Sequence, residues 1–294
     1  MSQADRWTTL AALDWVREFL TRKGSDRPRL EAEHLLSYAT SLSRTEVYAH
    51  FDRPLSPEER TVLRDAVARR GAGEPLQYIF GRAPFRYLEL EVGEGVLIPR
   101  PETELLVDAV LPAVDAAIAE RGEAIVVDAC TGSGAIALAI ATERPDARVI
   151  ATELSSEALA WARRNVDALG MSDRIELLQG DLLDPIPPGF AGSIDVVVSN
   201  PPYIPTGDLA ALPAEVARFE PTTALNGGED GLALFERLAP AAAELLRTGG
   251  MFACELDEKR TASAAAECVQ WYQRVRVVED LVGRERFVVA TKDS

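Results

Sequence analysis

The sequence predicts an α/β protein: a doubly wound, mostly parallel sheet of seven strands, preceded by a small all-helical domain and a β-hairpin connector. Three observations predict it. From residue 124 onward, short apolar runs of strand length alternate with longer helical segments, a pattern that buries a parallel sheet between two helical layers. The first seventy residues show helical periodicity alone. Between the two regions, glycines at 71, 73, 81, 93 and 95 interrupt short apolar and aromatic stretches. With 294 residues and 47% hydrophobic content, the chain can bury one large core and a smaller one. The expected organisation is a helical domain over 1–72, a connector over 73–98 and the α/β domain over 99–294.

In the helical domain, Leu10, Leu13, Val16 and Leu20 recur at helical spacing, with Gly24 as the stop. A second helix around 29–41 is expected to bury Leu30, Leu35, Leu36 and Tyr38. Ser56-Pro57-Glu58-Glu59 has a capping serine, proline at the first helical position and glutamate three residues after the cap, the signature of a helix start. Gly71 closes that helix. The connector's short apolar stretches, 76–80, 85–90 and 96–98, hold too many aromatics (Tyr78, Phe80, Phe85, Tyr87) for a floppy linker. A helix follows from about Glu102, with Pro112 expected to disturb it.

The strands of the large domain are Ile125–Val127, Arg148–Thr152, Ile175–Leu178, Asp195–Ser199, Met251–Glu255, Arg274–Val278 and Arg286–Ala290. Ile125–Val127 is continuously apolar, as a strand buried on both faces should be. The intervening helices are Ala135–Glu143, Glu157–Leu169 (ended by Gly170), Leu232–Leu246 and Ala262–Gln270.

Charge and cysteine content narrow the function classes. Residues 1–95 carry 14 Lys+Arg against 15 Asp+Glu; residues 96–294 carry 17 against 32. An acidic catalytic region repels a phosphate backbone, which favours protein or small-molecule substrates over nucleic acid. No apolar run approaches the roughly 20 residues needed to span a bilayer, and the opening MSQADRWTTL lacks the features of a signal peptide. Cys130, Cys254 and Cys268 show no metal spacing and cannot all pair, so no metal site is expected and a reducing cytoplasm fits best.

Two constellations carry chemistry. The first is Asp128-Ala129-Cys130-Thr131-Gly132-Ser133-Gly134, directly after the first strand and opening a helix. Its glycines let backbone approach a ligand, and the helix start offers free N–H groups. Nineteen residues after Gly134, Glu153 closes the second strand, where a carboxylate accepts the two hydroxyls of a ribose. A nicotinamide dinucleotide is disfavoured, because the loop reads G-S-G-A-I-A without the third glycine in its usual place. After the third strand, Asp181 and Leu182 are placed to flank an adenine, although Asp181 reads almost equally well as a turn residue. The bland readings hold for His34 and His50 (structural), Trp161 (core) and Cys130, which has no neighbour to activate it as a nucleophile.

The second constellation, Asn200-Pro201-Pro202-Tyr203, follows the strand Asp195–Ser199. A conjugated amide or amino nitrogen is a poor nucleophile because its lone pair is delocalised. A site that alkylates it must hold both N–H bonds and aim the nitrogen. The Asn200 carboxamide oxygen and the Pro201 carbonyl supply two acceptors, the prolines stiffen the turn, and Tyr203 offers a flat stacking surface. Parallel strands end at one edge, so Gly132, Glu153 and Asn200 are expected to converge on one crevice.

With these residues in hand, the chain resembles the class I, Rossmann-like methyltransferases, and more closely the bacterial peptide chain release factor N5-glutamine methyltransferases (the PrmC/HemK family). The likeness rests on Glu74–Gly81, Leu97–Glu104, Thr131–Leu138, Ser199–Ile204 and Glu220–Leu225, followed by Gly227, Gly228 and Gly231. The Asn-Pro-Pro-Tyr element is shared with adenine and guanine N-methyltransferases, so a nucleic-acid base methyltransferase is the main rival, and a non-catalytic binding module a weaker one. A sister group acting on a ribosomal-protein glutamine reads Arg-Ser-Pro where this chain has Arg100-Pro101-Glu102. The resemblance implies S-adenosylmethionine as methyl donor and S-adenosylhomocysteine as product. It implies an N-terminal domain that docks class I release factors, and the glutamine of their Gly-Gly-Gln loop as substrate. By position, Cys130, Thr131, Gly132, Ser133 and Gly134 line the cofactor, Glu153 takes the ribose, and Asp181 and Leu182 lie near the adenine. Asn200, Pro201, Pro202 and Tyr203 hold the glutamine, with Asn200 also beside the cofactor. Arg100 and Thr103 are placed towards the cofactor's methionine end. Two departures stand out: Glu153 where Asp is commoner, and Leu182 where some members carry an aromatic.

Overall fold

The computed structural model describes residues 7–292; the first six residues, part of the segment read above for a leader signal, lie outside them. The described chain forms two compact units. One runs to Gly81 and also takes in residues 214–219; the other comprises 82–213 and the chain from 220 onward.

The first unit contains α1 (Thr9–Arg22), α2 (Pro28–Thr40), α3 (Arg44–Ala49), α4 (Pro57–Gly71), α5 (Leu76–Phe80) and the short helix Ala214–Phe219. α1 starts where the Thr8 side chain accepts from the Ala11 N–H and buries Leu13, Val16 and Leu20, whereas Leu10 turns outward at 43% exposed. α4 starts on the predicted capping box, with Ser56 and Glu59 each accepting the other's backbone N–H. α2 differs from expectation at two positions, Leu30 and Tyr38, of which Leu30 is only partly buried. Tyr38 is on its outer face, packed against the Phe80 ring, while the buried face carries Glu33 at 4% exposed. That carboxylate is matched by Arg29, Arg44 and Tyr48, the partners a buried charge requires. α3 and α5 were not expected. Both are too short to show a period, although Ser43 and Glu46 form a second capping box at the start of α3.

In the second unit β1 (Arg82–Phe85) and β2 (Leu88–Glu91) form the antiparallel hairpin. Then come α6 (Thr103–Arg121), β3 (Ala124–Ala129), α7 (Ala135–Glu143), β4 (Ala147–Glu153), α8 (Ser156–Ala168), β5 (Ile175–Gln179) and β6 (Ile194–Ser199). After the excursion through α9 (Ala214–Phe219), α10 (Ala233–Leu245), β7 (Leu246–Glu255), α11 (Thr261–Cys268), β8 (Arg274–Glu279) and β9 (Glu285–Thr291) complete the unit. The seven strands β3–β9 lie in the order β5-β4-β3-β6-β7-β9-β8. β3 to β7 are parallel and β9 runs antiparallel to both β7 and β8, as a mostly parallel sheet requires.

Successive residues on these strands face opposite layers. Val126, Val149 and Val196 pack under α6 and α7, whereas Val127, Ile150 and Val197 pack under α10 and α11. Pro112 does not break α6, whose stripe of Leu106, Val107, Val110, Leu111, Val114 and Ala117 is buried on both sides of it. That burial outweighs the one backbone hydrogen bond a proline removes. The strand order reverses at β3, between β4 and β6, and ligands of open α/β sheets bind beyond the carboxyl ends of the strands at such a point.

Candidate active site

Beyond β3 the chain turns sharply into α7. Cys130, Gly132 and Gly134 all have left-handed φ, of 58°, 57° and 84°. For Cys130 such a φ is strained, and strain of this kind collects at binding sites. A Cβ added to Gly132 would meet no atom within 4 Å, because the position opens on a cavity. The loop is held from beneath by Asp128, wholly buried, whose Oδ2 accepts from the Thr131 hydroxyl (2.5 Å) and the Ala137 N–H (3.1 Å). Its Oδ1 has no partner. Burial pushes this carboxyl up to about 7, against the pull of the two hydrogen bonds. Asn165 of α8 clamps the loop from the side. Its Nδ2 donates to the Ser133 and Glu91 carbonyls, and its Oδ1 accepts from the Glu91 N–H, joining loop and hairpin.

At the end of β4, Glu153 accepts from Gly132 N–H and Ser155 N–H, both at 2.9 Å. The glycine loop and the acid are therefore joined directly, one strand apart.

β6 ends beside β3, where the Ser199 hydroxyl donates to the Ala129 carbonyl at 2.8 Å. The turn Asn200–Tyr203 follows. Asn200 Nδ2 donates to Thr103 Oγ1 (3.0 Å), Thr103 Oγ1 donates to Glu255 Oε2 (2.8 Å), and the Tyr203 hydroxyl donates to Glu255 Oε1 (3.2 Å). Glu255, at the end of β7, is 1% exposed. Its burial raises it to about 7, opposed by the Thr103 and Tyr203 hydrogen bonds and by Arg286. Behind the turn lies the glycine-rich segment 226–231, so close that a Cβ on Gly227 would sit 2.6 Å from the Tyr203 Cα.

These elements wall one cavity of about 520 Å³, within the range of small-molecule sites. Of the residues expected at a site, Cys130, Thr131, Gly132 and Ser133 line it from the first loop, Glu153, Asp181 and Leu182 from the next two strands, and Asn200 and Pro202 from the turn. Arg100 and Thr103 line it as well. Three expected residues are not in the wall. Gly134 caps α7, where its would-be Cβ faces Leu138 and Ala162. Pro201 is buried. Tyr203 packs its ring against the apolar layer under α10 and gives its hydroxyl to Glu255, so the expected stacking surface is turned away. Asp181 reaches outward to Arg237 at 2.6 Å, and Leu182 adopts a left-handed φ of 48°. Cys130 is no nucleophile: burial and the nearby Glu153 push its thiol well up. Trp161 is half-buried and donates to the Glu94 carbonyl, packing over Gly93.

The wall's charges discriminate between ligands. Among its residues Arg100 is the single cation, and it is paired with Glu220 at 2.6 Å, while Glu153, Glu157 and Asp181 are acidic. Such a wall has no cationic side chain free to pair with a diphosphate. It suits a ribose-bearing ligand with cationic groups.

Comparison with known proteins gives the family. The PrmC N-terminal domain profile matches residues 11–81, and a methyltransferase domain profile matches residues 126–219. The release factor glutamine methyltransferase of Rhodopirellula baltica is 39% identical over 288 residues, 97% of each chain. The chain belongs to the release factor glutamine methyltransferase family. The protein of that name from Geobacter sulfurreducens is 45% identical over 250 residues, 85% of this chain and 84% of its own. Among solved structures, a methyltransferase from Pyrococcus furiosus superposes with a TM-score of 0.51 at 20% identity, covering 79% of this chain and 98% of that one, a likeness of fold.

Three residues of this family member escaped the sequence reading. Glu220 (5% exposed) accepts from Ile98 N–H and pairs with Arg100, tying down the segment that enters α6. Its motif, Glu220–Leu225, was visible in the resemblance but carried no chemical role. Glu255 and Asn165 act across 152 and 74 residues of sequence, a separation at which no spacing signal exists.

Proposed function

We propose that this chain transfers the methyl group of S-adenosylmethionine to the side-chain amide nitrogen of the glutamine in the Gly-Gly-Gln loop of class I peptide chain release factors. The observation that carries the reading is the placement of Asn200 in the same cavity wall as the glycine loop and Glu153. The residues fit the cofactor: Gly132 leaves room where any Cβ would project into the cavity, Glu153 suits a ribose diol, and the acidic wall suits a cation. When bound, S-adenosylmethionine supplies an electrophilic methyl group on a sulfonium centre.

The chain's own residues then do the positioning. Asn200 Nδ2 is turned inward to Thr103, so Oδ1 is the atom left for the substrate amide and accepts one of its N–H bonds. The other is assigned to the Pro201 carbonyl, a backbone oxygen between the wall residues Asn200 and Pro202, since the Pro201 residue itself is buried outside the wall. With both bonds held, the nitrogen is aimed for in-line displacement, and orientation supplies the rate. No strong base is needed, because an N-alkylated amide cation is acidic enough to lose its proton to water. The helical unit is assigned to docking the release factor. Among the described residues no helix is long and apolar enough to cross a membrane. Together with three unpaired cysteines, this suits a protein of the reducing cytoplasm that meets its partner in solution. Nucleic acid is not assigned as a direct partner, given the acidic wall.

The test is transfer of label from methyl-labelled cofactor to pure release factor. Label is expected on the release factor, none once its loop glutamine is replaced by alanine, and none on adenine-containing DNA or rRNA. Asn200→Ala should lower turnover by about a hundredfold while the calorimetric affinity for S-adenosylhomocysteine stays within about threefold. Labelling of the alanine-substituted release factor, or wild-type turnover by the Asn200 variant, would overturn the reading.

A further inference from the structure

Glu255 touches no cavity surface, yet it is the point at which both ends of the turn 200–203 are tied. We propose that Glu255 is a positioning residue for methyl transfer: acting through Thr103 and Tyr203, it dictates that Asn200 faces the cavity with its carbonyl oxygen and not with its NH2 group. This rests on the function proposed above.

The argument is a count of hydrogens. An ionised carboxylate can only accept. The Thr103 hydroxyl has one hydrogen and places it on Glu255 Oε2 at 2.8 Å. Towards Asn200, Thr103 Oγ1 is therefore an acceptor, and the group facing it at 3.0 Å must be the carboxamide NH2. A planar carboxamide whose NH2 is held by Thr103 keeps its oxygen free, and Asn200 lines the cavity. The Tyr203 hydroxyl likewise gives its one hydrogen to Glu255 Oε1. One carboxylate thus orients both the first and the last residue of the turn.

Reversing the direction of this relay would reverse the site. A substrate amide presents N–H bonds and needs an acceptor. If the group at 255 donates to Thr103, the Thr103 hydrogen turns to Asn200, the carboxamide flips, and an NH2 meets an NH2. Neutral Glu255 can do this, since a protonated carboxyl has an O–H of its own. The charged groups facing Glu255 are Arg286 on β9, which favours the carboxylate, and Glu102 at the start of α6, which opposes it. Tyr203, itself near Arg100 and Arg286, is pushed up by burial and by Glu255 and stays a donor. With Glu255 raised to about 7, the relay runs in the productive direction above that pH and is progressively lost below it.

Glutamine at 255 keeps the shape but replaces one acceptor oxygen by a donor. We expect Glu255→Gln to lower kcat on release factor by about tenfold to a hundredfold, the range for residues that orient a contacting group. Thr103→Val, which keeps shape but not the hydroxyl, should do the same, and Thr103→Ser should recover activity to within about threefold of wild type. In Glu255→Gln, which leaves the cavity wall untouched, affinity for S-adenosylhomocysteine should stay near the wild-type value. The wild-type kcat should fall as pH drops through about 7, and Glu255→Gln should lack that limb. A second readout does not depend on turnover: in 15N-labelled protein, the Asn200 side-chain NH2 should exchange slowly in the wild type and at least about tenfold faster in Glu255→Gln, where it faces the cavity. Unchanged exchange and unchanged kcat in that variant would overturn the proposal, as would a kcat loss matched by lost cofactor affinity. If wild-type protein fails to methylate release factor at all, the substrate assignment fails, and the exchange measurement still decides the role of Glu255.

Discussion

Asp128 is the residue on which most of the first loop leans, and its chemistry gives a testable pH dependence. Its carboxyl is raised to about 7 by complete burial, well above the ordinary aspartate range near 4. The folded state therefore holds this proton more tightly than the unfolded chain. The stability it contributes is full below pH 4 or so and is lost as pH rises through about 7. Glu255 acts in the same direction. Asp128→Asn keeps an acceptor for the Thr131 hydroxyl and Ala137 N–H and removes the titration. Thermal melts at about pH 5 and about pH 8 should show a smaller fall for the variant than for the wild type. An equal fall in both would place the effect elsewhere. The left-handed φ of Cys130 and Leu182 belongs to this scale too: each turn follows a strand end and points backbone at the cavity, a conformation costing about 1–3 kcal/mol in a non-glycine residue.

At the scale of elements, the turn 200–203 is shaped by its neighbours more than by its own prolines. The segment 226–231 runs alongside it, with Ile204 and Asn226 bridged in parallel. Gly227 lies against the Tyr203 Cα and carbonyl carbon and the Pro202 carbonyl, at 2.6–2.8 Å from a would-be Cβ, and Gly231 is closer still to the Tyr203 carbonyl. All of these are backbone atoms, so a methyl group cannot be absorbed by a side-chain rotation. Gly227→Ala should displace the turn and lower turnover by more than about tenfold, since small misplacements of a positioning group are costly. Cofactor affinity, measured by calorimetry, should change little, because the glycine loop and Glu153 are anchored independently through Asp128 and Asn165. A proportional loss of both would contradict this.

At the scale of the whole molecule, the chain leaves the sheet-containing unit at residue 214, contributes α9 to the helical unit, and returns at Glu220. Within the helical unit Arg70 joins three segments: it pairs with Glu31 and Glu215, each at 2.7 Å, and donates to the Glu74 carbonyl at 3.0 Å. Arg70→Ala leaves two carboxylates without their partner and should destabilise the unit by about 1–3 kcal/mol, read as a lower midpoint in urea. The cavity is walled wholly by residues of the other unit, so cofactor affinity should not follow. Parallel losses in both measurements would refute the independence of the two.

The sequence by itself determined the alternation of strands and helices, the capped start of α4, and the three strand ends where Gly132, Glu153 and Asn200 stand. Each of these is local: periodicity, caps and glycine turns act over a few residues, and parallel strands must end at a common edge. Short elements such as α3 and α5 fell below one period of the pattern. Tertiary structure alone decided which atoms of those residues face the cavity. Tyr203 reads as a stacking ring in sequence, yet its ring packs against the apolar layer under α10 and its hydroxyl finds Glu255 from 52 residues away. The orientation of Asn200 likewise depends on a hydroxyl in α6 and a carboxylate in β7. Buried polar atoms must find partners wherever the fold brings them, and that pairing is a property of packing, which no local pattern encodes.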